Sequence, residues 1–210
     1  LYVAYQALEN GEVSLDDAIT VSSNAANVQG VELEFLKDTL MSLRHLIRAS
    51  AVGGANDASM ALAEGLSNSE EFFAQRMNST AKALGLTRSA WKNPHGLTEK
   101  GHMSSAKDLA NLFIAHRRDF PQYFNLLSRR TTDAGIREVA NSSRRLLSGV
   151  KGVHGAKYGY THAARNSGVV FVEREGKRIV AVVLGEMSMA KLLARMNAIV
   201  DAAFEKLLMN

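Results

Sequence analysis

Lys157-Tyr158-Gly159-Tyr160-Thr161, followed by the apolar runs Val169-Val170-Phe171-Val172 and Ile179-Val180-Ala181-Val182-Val183-Leu184, decides how this chain is read. The two runs are short and rich in β-branched residues. Glu173-Arg174-Glu175-Gly176-Lys177 separates them with turn chemistry, so the segment predicts a β-hairpin. Lys157 opens a further strand beside it, where a basic residue discourages sheet-to-sheet association at an exposed edge. Gly159 suits either a bulge or a close backbone approach. Beyond the hairpin, Met189 to Leu208 carries Leu192, Leu193, Met196, Ile199, Val200 and Phe204 at helical spacing, which predicts an amphipathic closing helix.

Upstream the periodicity is helical. Leu1, Ala4, Tyr5 and Leu8 share one face of a helix that Gly11 stops. Ala18-Ile19-Thr20-Val21 and Val31-Glu32-Leu33 read as short strands around the polar Ser22 to Asn27. Leu43, Leu46 and Ile47 precede Gly53-Gly54, and Ala58, Leu62 and Leu66 follow, so two helices meet at a glycine turn. Ser69-Glu70-Glu71 starts another helix in capping style, through Phe72, Phe73, Met77 and Ala81 to Gly85, and Ser104 or Ser105 caps one that ends before Pro121. The pattern is α+β: one domain over residues 1–210, with a helical region at about 40–120 and a sheet region from 1–39 and 150–210. The expected arrangement packs the sheet against the Leu1 helix and the closing helix.

Composition narrows the function classes. With 210 residues, 46% of them hydrophobic, the chain can bury a sizeable core. Cysteine is absent, which removes disulfides, thiolate nucleophiles and Cys-ligated metals. The apolar runs are too short to span a bilayer. A chain that opens at Leu1 rather than Met reads as a processed or excised piece, any secretion signal lying outside it. The formal charge of +4 is spread over 25 basic and 21 acidic residues, and Arg129-Arg130 and Arg144-Arg145 have no flanking aromatic ladder, so nucleic acid is not an expected partner. His95 and His102 lie seven apart across a glycine-containing loop without the helical spacing of zinc sites, so no metal and no other cofactor is expected. His154 and His162 flank the Lys157 strand and could line a groove, or serve as polar strand ends.

Six fragments in order carry a resemblance: Leu1 to Gly11; Asn56-Asp57-Ala58 with Ala61-Leu62-Ala63-Glu64; Met77 with Ala83-Leu84-Gly85-Leu86; Asn93-Pro94-His95-Gly96-Leu97; Ser104 to Ala110; and Gly155 to Thr161. Together they resemble the D-alanyl-D-alanine carboxypeptidases, low-molecular-mass penicillin-binding proteins that trim peptidoglycan stem peptides. The resemblance implies a β-lactamase-like and penicillin-binding-protein-like fold, an antiparallel sheet flanked by terminal helices with an all-helical region. It implies a cell-envelope or periplasmic location and a D-Ala-D-Ala stem peptide as ligand. Acyl transfer in this family needs a serine, a lysine one helical turn later, a polar side chain opposite, and backbone N–H donors for the oxyanion. By resemblance, Lys157 places a positive charge near the substrate carboxylate, Asn56 faces the substrate amide, and Tyr160 N–H supplies one oxyanion donor, with Gly159 and Thr161 also among the substrate-binding positions. Asn56 also reads as an ordinary helix N-cap.

The departures from the family pattern matter as much. Its Ser-x-x-Lys would fall just before Leu1, and no such element stands at the expected place within the chain; Ser104 to Lys107 has the spacing but matches a different, helical family segment. Gly54 stands where Ser-x-Asn has its serine, and Tyr158 where Lys-Thr-Gly has its threonine, an aromatic ring in place of a small hydroxyl. Gly185-Glu186 replaces a glycine pair, and Gly30-Val31-Glu32-Leu33 a Gly-rich approach. The expectation is therefore a chain that does not hydrolyse and is not acylated by β-lactams. A non-catalytic peptidoglycan-binding or protein-binding scaffold is the alternative.

Overall fold

Serine hydroxyls start the helices that the sequence marks with them. Ser69 Oγ accepts from Phe72 N–H and Ser105 Oγ from Asp108 N–H, both at 3.1 Å, satisfying first-turn donors that have no partner within the helix. The computed structural model describes residues 1–208, and the chain divides into two contact-rich units.

The first unit, Leu1–Met103 with Arg129–Asn141, holds α1 (Tyr2–Glu9), β1 (Ala18–Thr20), α2 (Ser23–Ala26), β2 (Leu40–Ser42), α3 (Leu43–Arg48), α4 (Asn56–Ser67), α5 (Glu70–Ala83), β3 (Thr131–Asp133) and β4 (Glu138–Ala140). Strands pair antiparallel as β1 with β2 and β3 with β4. After α3 the helix widens into a π turn, Ala49–Gly53, and reverses at Gly54 in the left-handed conformation, φ 73 and ψ 28. Leu43, Leu46, Ile47, Ala58 and Leu62 are buried around this reversal, in agreement with their spacing, while Leu66 is only partly buried.

Three details differ from expectation here. Ser23–Ala26 is a short helix, because Ser22 Oγ accepts from Ala25 N–H at 2.9 Å and caps it. Val31–Leu33 has no partner strand; Leu33 N–H goes instead to a side chain, Asp57 Oδ2, at 2.7 Å. The helix at Leu1 buries Val3, Ala4, Tyr5 and Ala7 rather than Leu1 and Leu8. It packs on α4 and α5, with Val3 against Ala63 and Phe73, so residues 1–39 group with the helical unit.

The second unit, Ser104–Ser128 with Ser142 onward, holds α6 (Ala106–Asp119), α7 (Pro121–Phe124), a 3₁₀ turn (Asn125–Ser128), α8 (Arg144–Gly149), β5 (Val153–Thr161), β6 (Arg165–Arg174), β7 (Lys177–Glu186) and α9 (Met189–Leu208). The sheet is antiparallel in the order β5-β6-β7. Glu175 and Gly176, at φ 49 and φ 75, form the two-residue turn whose hand matches the strand twist. On one face, Val170, Val172, Ala181 and Val183 pack with Leu192, Met196, Val200 and Phe204 of α9. Burying each large side chain contributes roughly 1.5–3 kcal/mol. Ile199 lies at the margin of this stripe and is exposed, contrary to expectation.

On the other face, Phe113 of α6, Phe124 of α7 and Phe171 of β6 meet edge to face at 5.4 and 5.5 Å between ring centroids. The expected helical region is thus split between the units, because α6 and α7 bury their aromatic side chains on the sheet.

Candidate ligand site

Asn56 is the first residue of α4, and the cap position belongs to Ala55, so the N-cap reading of Asn56 is not realised. Its side chain reaches back instead: Nδ2 donates to the Gln29 carbonyl at 2.8 Å, and its N–H donates to the Val31 carbonyl at 2.6 Å. The carboxamide oxygen is the end left for another partner. Gly30 makes the approach feasible. A Cβ there would stand 2.6 Å from Asn56 Nδ2, and its φ of 107 is one that L side chains rarely adopt. Asp57 completes the clamp, accepting from Leu33 N–H at 2.7 Å, Ala58 N–H at 2.7 Å and, at 3.5 Å, Phe35 N–H. Its carboxylate is buried, and the sequence reading gave it no role. The signal was present in Asn56-Asp57, an acid in a first helical turn, but its partners are 22 and 24 residues away.

In the second unit, Lys157 stands half-buried on β5, opposite Val169. Gly155 and Gly159 share its face, since side chains alternate along a strand. A Cβ at Gly155 would press on Phe124 at 2.8 Å, whereas one at Gly159 would meet nothing within 4 Å. Lys157 therefore lies between a closed position and an open one. Burial pushes its ammonium down to about 8.

Tyr158 points to the opposite face. Its N–H donates to Ser143 Oγ at 2.9 Å, away from β6, and its ring packs against the Leu146, Leu192 and Val183 core. The ring lies opposite Gly168 on β6, where no side chain competes for the surface. The Tyr158 hydroxyl donates to Asn166 Oδ1 at 2.8 Å, and burial raises its pKa. Because backbone groups alternate, Tyr160 N–H turns to the same outer edge as Tyr158 N–H, and the Tyr160 side chain is exposed. Thr161 Oγ1 accepts from Ala164 N–H at 3.0 Å and closes the β5–β6 turn. Ser143, buried in a run without periodicity, is a partner of this strand that the sequence did not signal.

The remaining candidates separate from these. Ser-x-x-Lys spacing occurs in the sequence at Ser79, Ser89, Ser104, Ser148 and Ser188. Lys82, Lys92, Lys107, Lys151 and Lys191 are all solvent-exposed, which does not provide the desolvated amine that activates a serine. Gly185 N–H donates to Ser167 Oγ at 3.2 Å, and Glu186 pairs with Arg195. His95 Nδ1 accepts from Leu97 N–H at 3.2 Å, and its Nε2 lies 3.5 Å from Glu70 Oε1; burial holds its pKa below the usual value. His102 Nδ1 accepts from Lys92 N–H at 3.3 Å. Both rings serve the loop built on Asn93, whose Oδ1 accepts from Gly96 N–H at 2.8 Å. His154 and His162 are exposed. Among the described residues, no three His, Asp or Glu side chains converge as a metal site requires. A cavity of about 390 Å³ between α5 and the 91–99 loop, lined by Glu70, Trp91 and Glu99 among others, includes none of the motif residues.

Comparison with known proteins points to one family. The family model described as D-alanyl-D-alanine carboxypeptidase matches residues 1–188. The D-alanyl-D-alanine carboxypeptidase DacF of Bacillus subtilis is 33% identical over 206 residues, 96% of this chain and 52% of that protein. DacC of Escherichia coli is 32% identical over 88% of this chain and 48% of its own length. The chain thus spans about half the length of the curated relatives it matches. The crystal structure of DacD from Francisella tularensis superposes with a TM-score of 0.88 at 24% identity, covering 96% of this chain and 62% of that one. The fold is the α+β fold of the penicillin-binding-protein and β-lactamase group. By the extent of the family match and the identity to its members, this chain belongs to the D-alanyl-D-alanine carboxypeptidase family.

Proposed function

We propose that the chain is part of a cell-envelope protein of peptidoglycan metabolism that binds the D-Ala-D-Ala end of a stem peptide at Lys157, and that these 210 residues alone bind without hydrolysing. The observation that carries this reading is the half-buried Lys157 beside the open face at Gly159, with its ammonium pushed to about 8. With a pKa of about 8 the ammonium keeps its proton at neutral pH, so the terminal carboxylate of the peptide meets a charged donor in a partly water-excluded place and gains a charge-assisted hydrogen bond. Asn56 is proposed to offer its oxygen to a peptide N–H, a neutral and weaker contact. Gly159 leaves room for the peptide backbone, and Tyr160 N–H is the proposed backbone donor to a peptide carbonyl. Thr161 supports the strand end.

The absence of turnover rests on chemistry. Acyl transfer needs a serine next to a desolvated base, and the serines spaced for it stand beside exposed lysines. Intact-mass spectrometry after incubation with a labelled penicillin is expected to show no adduct; a stoichiometric adduct on any serine would overturn this part.

Calorimetric titration with a pentapeptide muropeptide tests the binding reading. A contact worth roughly 1.5–3 kcal/mol predicts that Lys157→Ala weakens binding by about ten-fold or somewhat more, and that Asn56→Ala weakens it less. Absence of heat with the unmodified chain, where an active relative binds, would leave the scaffold reading. Among the described residues no helix is long and apolar enough to cross a membrane.

A further inference from the structure

Tyr158 occupies the place of the family's threonine, yet its side chain is neither in the site nor idle. It starts a line of contacts across the whole sheet: its hydroxyl donates to Asn166 Oδ1 at 2.8 Å, Asn166 Nδ2 donates to the Glu186 carbonyl at 3.0 Å, and Arg195 of α9 donates to the Glu186 carboxylate. Asn166 is buried, so both ends of its amide are settled by this line. The ring runs diagonally from β5 across Gly168, and Gly168 has no room for a larger side chain, since a Cβ would press on Leu146 at 2.8 Å. An edge strand has a neighbour on one side only, and β5 compensates twice at one residue, through Tyr158 N–H to Ser143 Oγ and through the Tyr158 hydroxyl.

We infer that Tyr158 is a positioning residue, which fastens the edge strand from its rear face and thereby fixes Lys157 and the Tyr160 N–H on the side that a ligand meets. A threonine at this place is too short to reach Asn166 and leaves the surface over Gly168 uncovered. The substitution thus exchanges a small hydroxyl near the ligand for a tether behind it. The role of the tether rests on the proposed use of Lys157 for a carboxylate; the position of Lys157 itself is measurable without ligand.

The experiment is NMR titration of lysine side chains in the unliganded chain, where Lys157 is identified by its low midpoint, near 8, and by loss of the signal in Lys157→Ala. In Tyr158→Thr, water reaches the loosened strand, and the midpoint is expected to rise by about one unit or more toward the ordinary lysine value. Tyr158→Phe keeps the ring, rescues most of that shift, and loses only the bond to Asn166. Amide hydrogen exchange is read on Tyr158→Phe as well, so that the test survives if the threonine variant does not fold. Gly159, whose N–H turns toward β6, should exchange about ten-fold faster, with β7 unchanged. A folded Tyr158→Thr with an unmoved Lys157 midpoint, or exchange at Gly159 unaltered in Tyr158→Phe, would overturn the inference. Failure of the muropeptide to bind, with these shifts present, would count against the carboxylate reading and not against the tether.

Discussion

The start of α4 and the edge strand β5 carry the two altered motifs, and they use their polar groups in opposite ways. At α4, Asn56 and Asp57 are turned inward to the chain itself, holding Gln29, Val31, Leu33 and Phe35. At β5, Tyr158 is turned to Ser143 and to the sheet behind it, while Lys157 and Gly159 face the opposite way. The first motif is chiefly a clamp; the second separates its structural half from its chemical half by the alternation of a strand. Gly54 fits the same distinction. It ends the π turn in a left-handed conformation, where a serine would be strained, so its place is set by the backbone of the chain itself.

The largest expected effect lies in the clamp. Asp57→Ala leaves buried N–H groups of Leu33 and Ala58 without their acceptor and should destabilise the chain by about 3 kcal/mol in urea unfolding, at about 1–3 kcal/mol for each orphaned group. A loss below about 1 kcal/mol would mean that water replaces the carboxylate and that α4 is no clamp.

On β5 the expected effect is on binding. Lys157 is depressed to about 8, so it holds its proton at pH 7 and loses it above pH 8; a bound carboxylate favours the protonated form. Muropeptide affinity should therefore be level below pH 7 and roughly ten-fold weaker by pH 9.5. Affinity that is flat to pH 10 would remove Lys157 from the contact.

Smaller still, Gly54→Ser should cost about 1 kcal/mol of thermal stability through its left-handed backbone, and should not create a penicillin adduct. The smallest change in stability is expected for Gly159→Ala, within about 0.5 kcal/mol because the space is open. If the methyl nonetheless weakens peptide binding several-fold, the open face is where the peptide lies; unchanged binding places the peptide elsewhere.

Local signals made much of this fold readable. The Glu175-Gly176 turn, the stripe of Leu192, Met196 and Val200, and the serine caps at Ser69 and Ser105 each depend on residues within a turn or two of one another. The family was legible from six short fragments read together, and the family match over residues 1–188 bears that reading out. What escaped the reading depends on distant partners. Val31–Leu33 has strand composition, but its donor is taken by Asp57, far along the chain. The direction of the Tyr158 ring was set by a glycine on the neighbouring strand, and the support of β5 by Ser143, neither of which periodicity marks. Lys157 could be named from its motif, whereas its lowered ammonium pKa is a product of burial in the folded chain.

Gly30 has a consequence for how this sequence can vary. Surface positions ordinarily accept most substitutions, and Gly30 is at the surface. Yet any side chain there meets two obstacles, a backbone at φ 107 and the Asn56 amide 2.6 Å from its first carbon. Shortening Asn56 would lift only the second, so the position has no single compensating partner. In a saturation library of this chain, residue 30 should behave like a core position despite its exposure, and a profile of tolerance against burial would show it as an outlier.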